Sequence, residues 1–129
     1  MSPSRETIAI VEDDASFNRA LERLLKASGF ATLAFASAEE FLASAKPDSY
    51  ACVILDIHLP GISGLELCDR LSTDHGCPRV IFITAEDAEA VRQEAARSSG
   101  NICLRKPLVA DALLGAVHEQ LMRSGSGPE

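Results

Sequence analysis

Five side chains of this 129-residue chain would form a reactive set if the fold gathers them: Asp13, Asp14, Asp56, Thr84 and Lys106. Each stands at or just past the end of a short apolar run. Three carboxylates brought close cannot all stay ionised without a compensating charge. A hard divalent cation supplies it, and magnesium suits oxygen ligands while keeping several waters of its own. An ammonium from Lys106 and a hydroxyl from Thr84 would complete a set able to hold the equatorial oxygens of a phosphoryl group. A carboxylate can also be the nucleophile, forming an acyl phosphate. Asp56, which falls between the acidic pair and the Thr/Lys pair, is the candidate for that role.

A parallel sheet is what would bring these residues together. Cys52-Val53-Ile54-Leu55 runs into Asp56 and is followed by Pro60-Gly61, which reads as a strand buried on both faces. Thr7 to Val11 is a first strand leading into Glu12-Asp13-Asp14. Phe17, Leu21, Leu24 and Leu25 then fall on one helical face, with Lys26 in the last turn and Gly29 just past it. Ala31 to Phe35 reads as a second strand. Ser37-Ala38-Glu39-Glu40 and Ser63-Gly64-Leu65-Glu66 have the spacing of capping boxes. They open helices that turn Phe41, Leu42 and Ala45, and Leu67, Cys68 and Leu71, inward.

Asp74 to Pro78 reads as a loop and Arg79 to Ile83 as a fourth strand ending at Thr84. Glu86 to Arg97 is a helix with a thin apolar face. Ile102 to Leu104 is a fifth strand before Arg105-Lys106-Pro107, and Leu113, Val117 and Leu121 mark a last helix. Such alternation implies an α/β fold: a doubly wound, five-stranded parallel sheet with right-handed crossovers. In the order 2-1-3-4-5, strands one and three are neighbours, so the three aspartates converge where sites of open α/β sheets form, at the carboxyl edge. The expected organisation is an N-terminal extension at 1–6, one domain at 7–122 and a flexible tail at 123–129.

Composition narrows the function classes. The formal net charge of -7 argues against a nucleic-acid-binding surface, which needs clustered Lys and Arg. No run of about 20 apolar residues is present to cross a membrane, and the first six residues have no apolar signal core. The cysteines, Cys52, Cys68, Cys77 and Cys103, contain no Cys-x-x-Cys pair. Free thiols in a reducing cytoplasm are the expectation.

The set resembles the receiver domain of bacterial two-component response regulators, a CheY-like, flavodoxin-like (βα)5 fold. The matching stretches are Val11-Glu12-Asp13-Asp14, Leu55 to Gly64, Ile83-Thr84-Ala85 and Arg105-Lys106-Pro107. They span roughly Thr7 to Met122. Ser37 to Leu42 and the Leu-Pro-Gly-Ile-Ser-Gly-Leu-Glu-Leu run look most like FixJ/NarL-type receivers. The resemblance implies that Asp56 takes a phosphoryl group from a sensor histidine kinase or phosphotransfer protein, becoming 4-aspartylphosphate. It implies that Asp14 binds Mg2+ directly, Asp13 directly or through water, and Asp56 and the His58 carbonyl complete the protein ligands. Thr84 would swing toward the phosphoryl group and Lys106 would contact it. The output would be altered protein–protein contact, a homodimer through the last two helices and strand five, or transcription through an output domain. Receivers usually carry Tyr or Phe three residues before the lysine, where this chain has Cys103.

Other readings stand beside this one. Asp56 could be a strand-end cap, Asp13 and Asp14 could serve the positive end of the first helix, Thr84 could be an N-cap, and Lys106 and His58 could be solvated side chains. A magnesium phosphohydrolase with an aspartyl nucleophile is an enzyme alternative, although haloacid-dehalogenase-like enzymes place an Asp where this chain has His58. A pseudo-receiver that never needs phosphate is the interaction-module alternative, for which Cys103 leaves room.

Overall fold

A computed structural model describes residues 7–44, 50–75, 79–84, 102–106 and 109–125. The chain forms β1 (Thr7–Val11), α1 (Ala15–Ala27), β2 (Ala31–Phe35), α2 (Ala38–Ser44), β3 (Cys52–Asp56), α3 (Gly64–His75), β4 (Val80–Thr84), β5 (Ile102–Arg105) and α4 (Ala110–Gly125). The five strands make one sheet in the order β2-β1-β3-β4-β5, and every pairing is parallel. Ile8 pairs with Cys52, and Asp56 with Ile83, so the ends of β1, β3 and β4 share one edge.

Alternation along the strands builds two cores. Ala9, Val11, Val53, Leu55, Val80 and Phe82 face α2 and α3, where Phe41, Leu67 and Cys68 meet them. Ile8, Ile10, Ile54, Ile81 and Ile83 face the other way, onto Leu21 and Leu25 of α1 and Leu113 and Val117 of α4. All five residues of β3 and of β4 are buried, as a strand covered on both faces requires. Burying one such aliphatic side chain contributes about 1.5–3 kcal/mol. Among the described residues no helix is long and apolar enough to cross a membrane.

Local chemistry sets the element ends. Gly29 adopts a φ of 99° just past α1, a conformation open to glycine at no steric cost. The Ser63–Glu66 box closes in both directions: the Glu66 N–H donates to Ser63 Oγ at 3.1 Å, and the Ser63 N–H to Glu66 Oε1 at 3.3 Å. The Ser37–Glu40 box is offset. Glu40 N–H donates to Ser37 Oγ, but the Glu40 carboxylate accepts from Ala36 N–H, one residue earlier than the usual partner. On α4, the buried Gln120 amide donates to the Val80 carbonyl at 2.7 Å, tying the helix to the start of β4.

The boundaries differ from expectation in places. Asp74 and His75, expected in a loop, belong to α3, because nothing in the sequence breaks the helix before Gly76. The fourth strand includes Thr84 itself. The last helix continues to Gly125, past Met122. The expected helix at Glu86 to Arg97, residues 76–78 with Cys77, and Pro107 lie outside the described residues, as do the side chain of Leu71 and residues 1–6 and 126–129.

Candidate functional site

Each functional side chain is delivered by a strand end. Asp56 is the last residue of β3, only 5% exposed, and its Oδ1 accepts the His58 N–H at 2.9 Å. That bond turns the chain sharply out of the sheet, and the His58 side chain is left exposed. The turn is held close by Gly64, whose N–H donates to the Ile57 carbonyl at 3.1 Å. A Cβ at Gly64 would meet the Asp56 carbonyl oxygen and the Ile57 backbone, so only glycine allows α3 to start there. Thr84 ends β4, fully buried, and its carbonyl accepts the Lys106 N–H at 2.9 Å. The base of Lys106 is thereby pinned beside β4.

Past β1 the three acids separate. Glu12 is 1% exposed, and Glu12, Asp13 and Asp56 bring carboxylate oxygens within 4.8 Å of one another. Asp14 is not among the three. Its side chain accepts the Phe17 N–H at 3.1 Å and caps α1, while its own N–H donates to Glu12 Oε2 at 3.0 Å. The expected pair was Asp13 and Asp14; the pair the structure gathers beside Asp56 is Glu12 and Asp13. The reason is local: α1 begins at Ala15, and an aspartate just before a helix satisfies otherwise orphaned N–H groups. Reading by residue type misses that Glu12 stands beside Asp13 and Asp56. Its signal was the capping position itself, which occupies Asp14 and leaves Glu12 and Asp13 to face the sheet edge. Asn18 of α1 locks this segment by donating to the carbonyls of Glu12 at 3.0 Å and of Phe35 at 3.2 Å.

Lys106 closes the site. Its Nζ donates to Asp56 Oδ2 at 3.2 Å and lies 3.2 Å from Glu12 Oε1. The second contact is an ion pair without a well-directed hydrogen bond, so Oε1 is buried with no hydrogen-bond donor aimed at it. The ammonium also stands 4.6 Å from the centroid of the Phe17 ring. Burial, the largest influence, pushes the Glu12 carboxyl from its ordinary 4.5 up to about 7; the Asp14 N–H and Lys106 oppose that rise, and Asp56 adds to it. Burial works against the charge on Lys106, but Asp56 and Glu12 outweigh it and hold the ammonium above its ordinary range.

Among the described residues, three carboxylates against one ammonium leave negative charge uncompensated, and a buried carboxylate oxygen lacks a directed donor. An all-oxygen donor set of this kind fits a hard cation such as Mg2+. Cys103, on β5, is half-buried and packs against the α2/α3-side core.

The geometry can be set beside known proteins. The sequence profile of the response regulator receiver domain matches residues 8–118, and the chain belongs to that family. It is a receiver domain of the two-component signalling type, a class that works as a switch and binds Mg2+ at an acidic pocket. The chain is 35% identical over 114 residues to nodulation protein W of Bradyrhizobium diazoefficiens, covering 88% of this chain and 50% of that protein. It is 32% identical over 122 residues to the transcriptional regulatory protein FixJ of Azorhizobium caulinodans, covering 95% and 58%. Among solved structures, a response regulator receiver protein from Burkholderia phymatum superposes with a TM-score of 0.78 at 39% identity, covering 92% of this chain and 96% of that one. The chain spans about half the length of the curated relatives it matches.

Proposed function

We propose that Asp56 is the phosphoacceptor of this receiver domain and that Mg2+ is held by Asp56, Asp13 and Glu12, with the His58 carbonyl completing the protein ligands. In this reading Glu12 replaces Asp14 as the partner of Asp13. The observation that carries it is the meeting of Lys106 Nζ with Asp56 and Glu12 at 3.2 Å each, beside Asp13. A carboxylate oxygen of Asp56 attacks phosphorus; the bond from phosphorus to the donor breaks, and the leaving atom, a histidine ring nitrogen or an acetate oxygen, keeps the electron pair. Lys106 faces the charge on the transferred group's oxygens, and Thr84 offers its hydroxyl. Magnesium, when bound, neutralises the carboxylates and the incoming phosphoryl charge. Later attack by water on phosphorus breaks the bond from phosphorus to the Asp56 oxygen, restores the carboxylate and releases inorganic phosphate, so the domain acts as a switch that resets itself.

The donor in this reading is a sensor histidine kinase or phosphotransfer protein, and the setting is cytoplasmic. The readout is a change in protein contacts, a homodimer or an output domain; the name of the FixJ relative states transcriptional regulation for that protein.

The test is intact mass after incubation with acetyl phosphate and Mg2+. One phosphoryl adduct is expected on the wild type, none on Asp56→Asn, and none after EDTA. No adduct on the wild type, together with no response to a beryllofluoride titration, overturns the reading in favour of a phosphate-independent interaction module.

A further inference from the structure

Phe17 lies on the apolar face of α1, half-buried against the α1/α4-side core, and packing alone would account for an apolar residue there. It does not account for the ring. The face of that ring carries the Lys106 ammonium at 4.6 Å from its centroid, well inside the range of a cation–π attraction. The same ammonium is the group that meets Asp56 and Glu12. Its position has to be enforced, because a lysine head is a compact, strongly hydrated charge on a flexible stem. The Lys106 side chain is still 23% exposed, so solvent competes for it.

We propose that Phe17 is a positioning residue of this site, its ring face holding the Lys106 ammonium over Asp56. The inference rests on the reading of Asp56 as phosphoacceptor, and it adds a requirement that reading lacks. The two carboxylates are inconstant partners for the ammonium. Once Asp56 is bonded to phosphorus its negative charge is replaced by that of the phosphoryl oxygens farther out, and a bound cation screens Glu12. The ring's attraction requires only the charge on Lys106 itself and persists through both changes. The ring is in turn fixed from behind: the Asp14 carboxylate accepts the Phe17 N–H at 3.1 Å, pinning the first turn from which the ring projects. The N-cap thus serves the site indirectly, through the ring that it places beside the lysine.

Phe17→Leu keeps an apolar side chain for the core and removes the aromatic face, whereas Phe17→Tyr keeps both. Two measurements on the wild type and both variants decide the matter. In the NMR spectrum, protons of the Lys106 ε-methylene near the ring face are shifted upfield in the wild type and in Phe17→Tyr, and return to ordinary lysine positions in Phe17→Leu. With acetyl phosphate and Mg2+, Asp56 is loaded about 2- to 30-fold more slowly in Phe17→Leu, with the rate recovered in Phe17→Tyr. Retained amide dispersion in Phe17→Leu separates this from loss of the fold. Lys106 resonances indifferent to the substitution, or loading by Phe17→Leu at the wild-type rate, overturns the inference. A wild type that takes up no phosphoryl group sinks the phosphoacceptor reading instead, and the resonances still decide whether the ring holds the ammonium.

Discussion

Two aspartates adjacent in sequence sit differently, Asp14 capping α1 and Asp13 beside Asp56, and substitution tests whether their duties differ. Asp14→Ala removes the N-cap of α1 and is expected to cost about 0.5–2 kcal/mol of stability in a denaturant titration. It leaves a magnesium-dependent adduct in place. Asp13→Asn costs little stability and weakens Mg2+ binding, read by titrating the metal against a spectroscopic signal. The reverse pattern would return the metal to Asp14. Most of the site was legible in the sequence. Asp56, Thr84 and Lys106 all stand at the carboxyl ends of strands, because apolar runs announce strands and strand ends announce the edge. Which two acids after β1 turn toward Asp56 was not legible from residue type. That choice depends on where α1 starts, a one-residue matter on which a capping side chain has the deciding vote. Nor could spacing show that Phe17 touches Lys106, since a contact across so many residues is set by tertiary packing.

At the scale of elements, the hinge between β3 and α3 is the tightest fit. Gly64→Ala drives a methyl into the Asp56 carbonyl, and it is expected to destabilise by about 1–3 kcal/mol and to lower phosphoryl uptake together, since the backbone that must give is that of Asp56. A stability loss with uptake unchanged would show that the strand end tolerates the shift. The same loop is tied to α2 by Glu39, whose carboxylate accepts the Ile62 N–H at 3.0 Å. Far from this edge, Gln120→Ala removes the hydrogen bond that α4 gives the Val80 carbonyl, an expected loss of about 0.5–1.5 kcal/mol. All five strands and the four described helices were readable from periodicity and caps. The extension of α3 through His75 and of the last helix to Gly125 was not, because polar residues at a helix end leave no periodic mark.

For the whole molecule, the pH profile follows from the buried acid. Glu12 binds its proton more tightly folded than unfolded, so its stabilising protonation is present below about 4.5 and is lost as pH rises through about 7. The metal-free chain should therefore lose thermal stability between those limits, and Glu12→Gln should flatten the slope. Lys106, held above its ordinary range, contributes in the same sense at the alkaline end, its stabilisation lost as pH rises past its folded value. Glu39, held lower by the Ile62 N–H, has the opposite sign: its small contribution is present above the ordinary value and lost as pH falls through the folded one. With Glu12 among the magnesium ligands, as proposed, metal affinity should climb through neutrality with proton release, measurable by calorimetry in two buffers.

Among the described residues, the sheet also divides the interior into two half-cores that share no side chain. This makes the domain thermodynamically two-chambered. Cys68→Ala on one side and Val117→Ala on the other should each cost about 1–3 kcal/mol, and together the sum of the two within about 0.5 kcal/mol. A coupling energy well beyond that would mean that the strands transmit strain from one chamber to the other. Without such coupling, the helices on one face can drift in sequence to suit new partners while those on the other stay as they are.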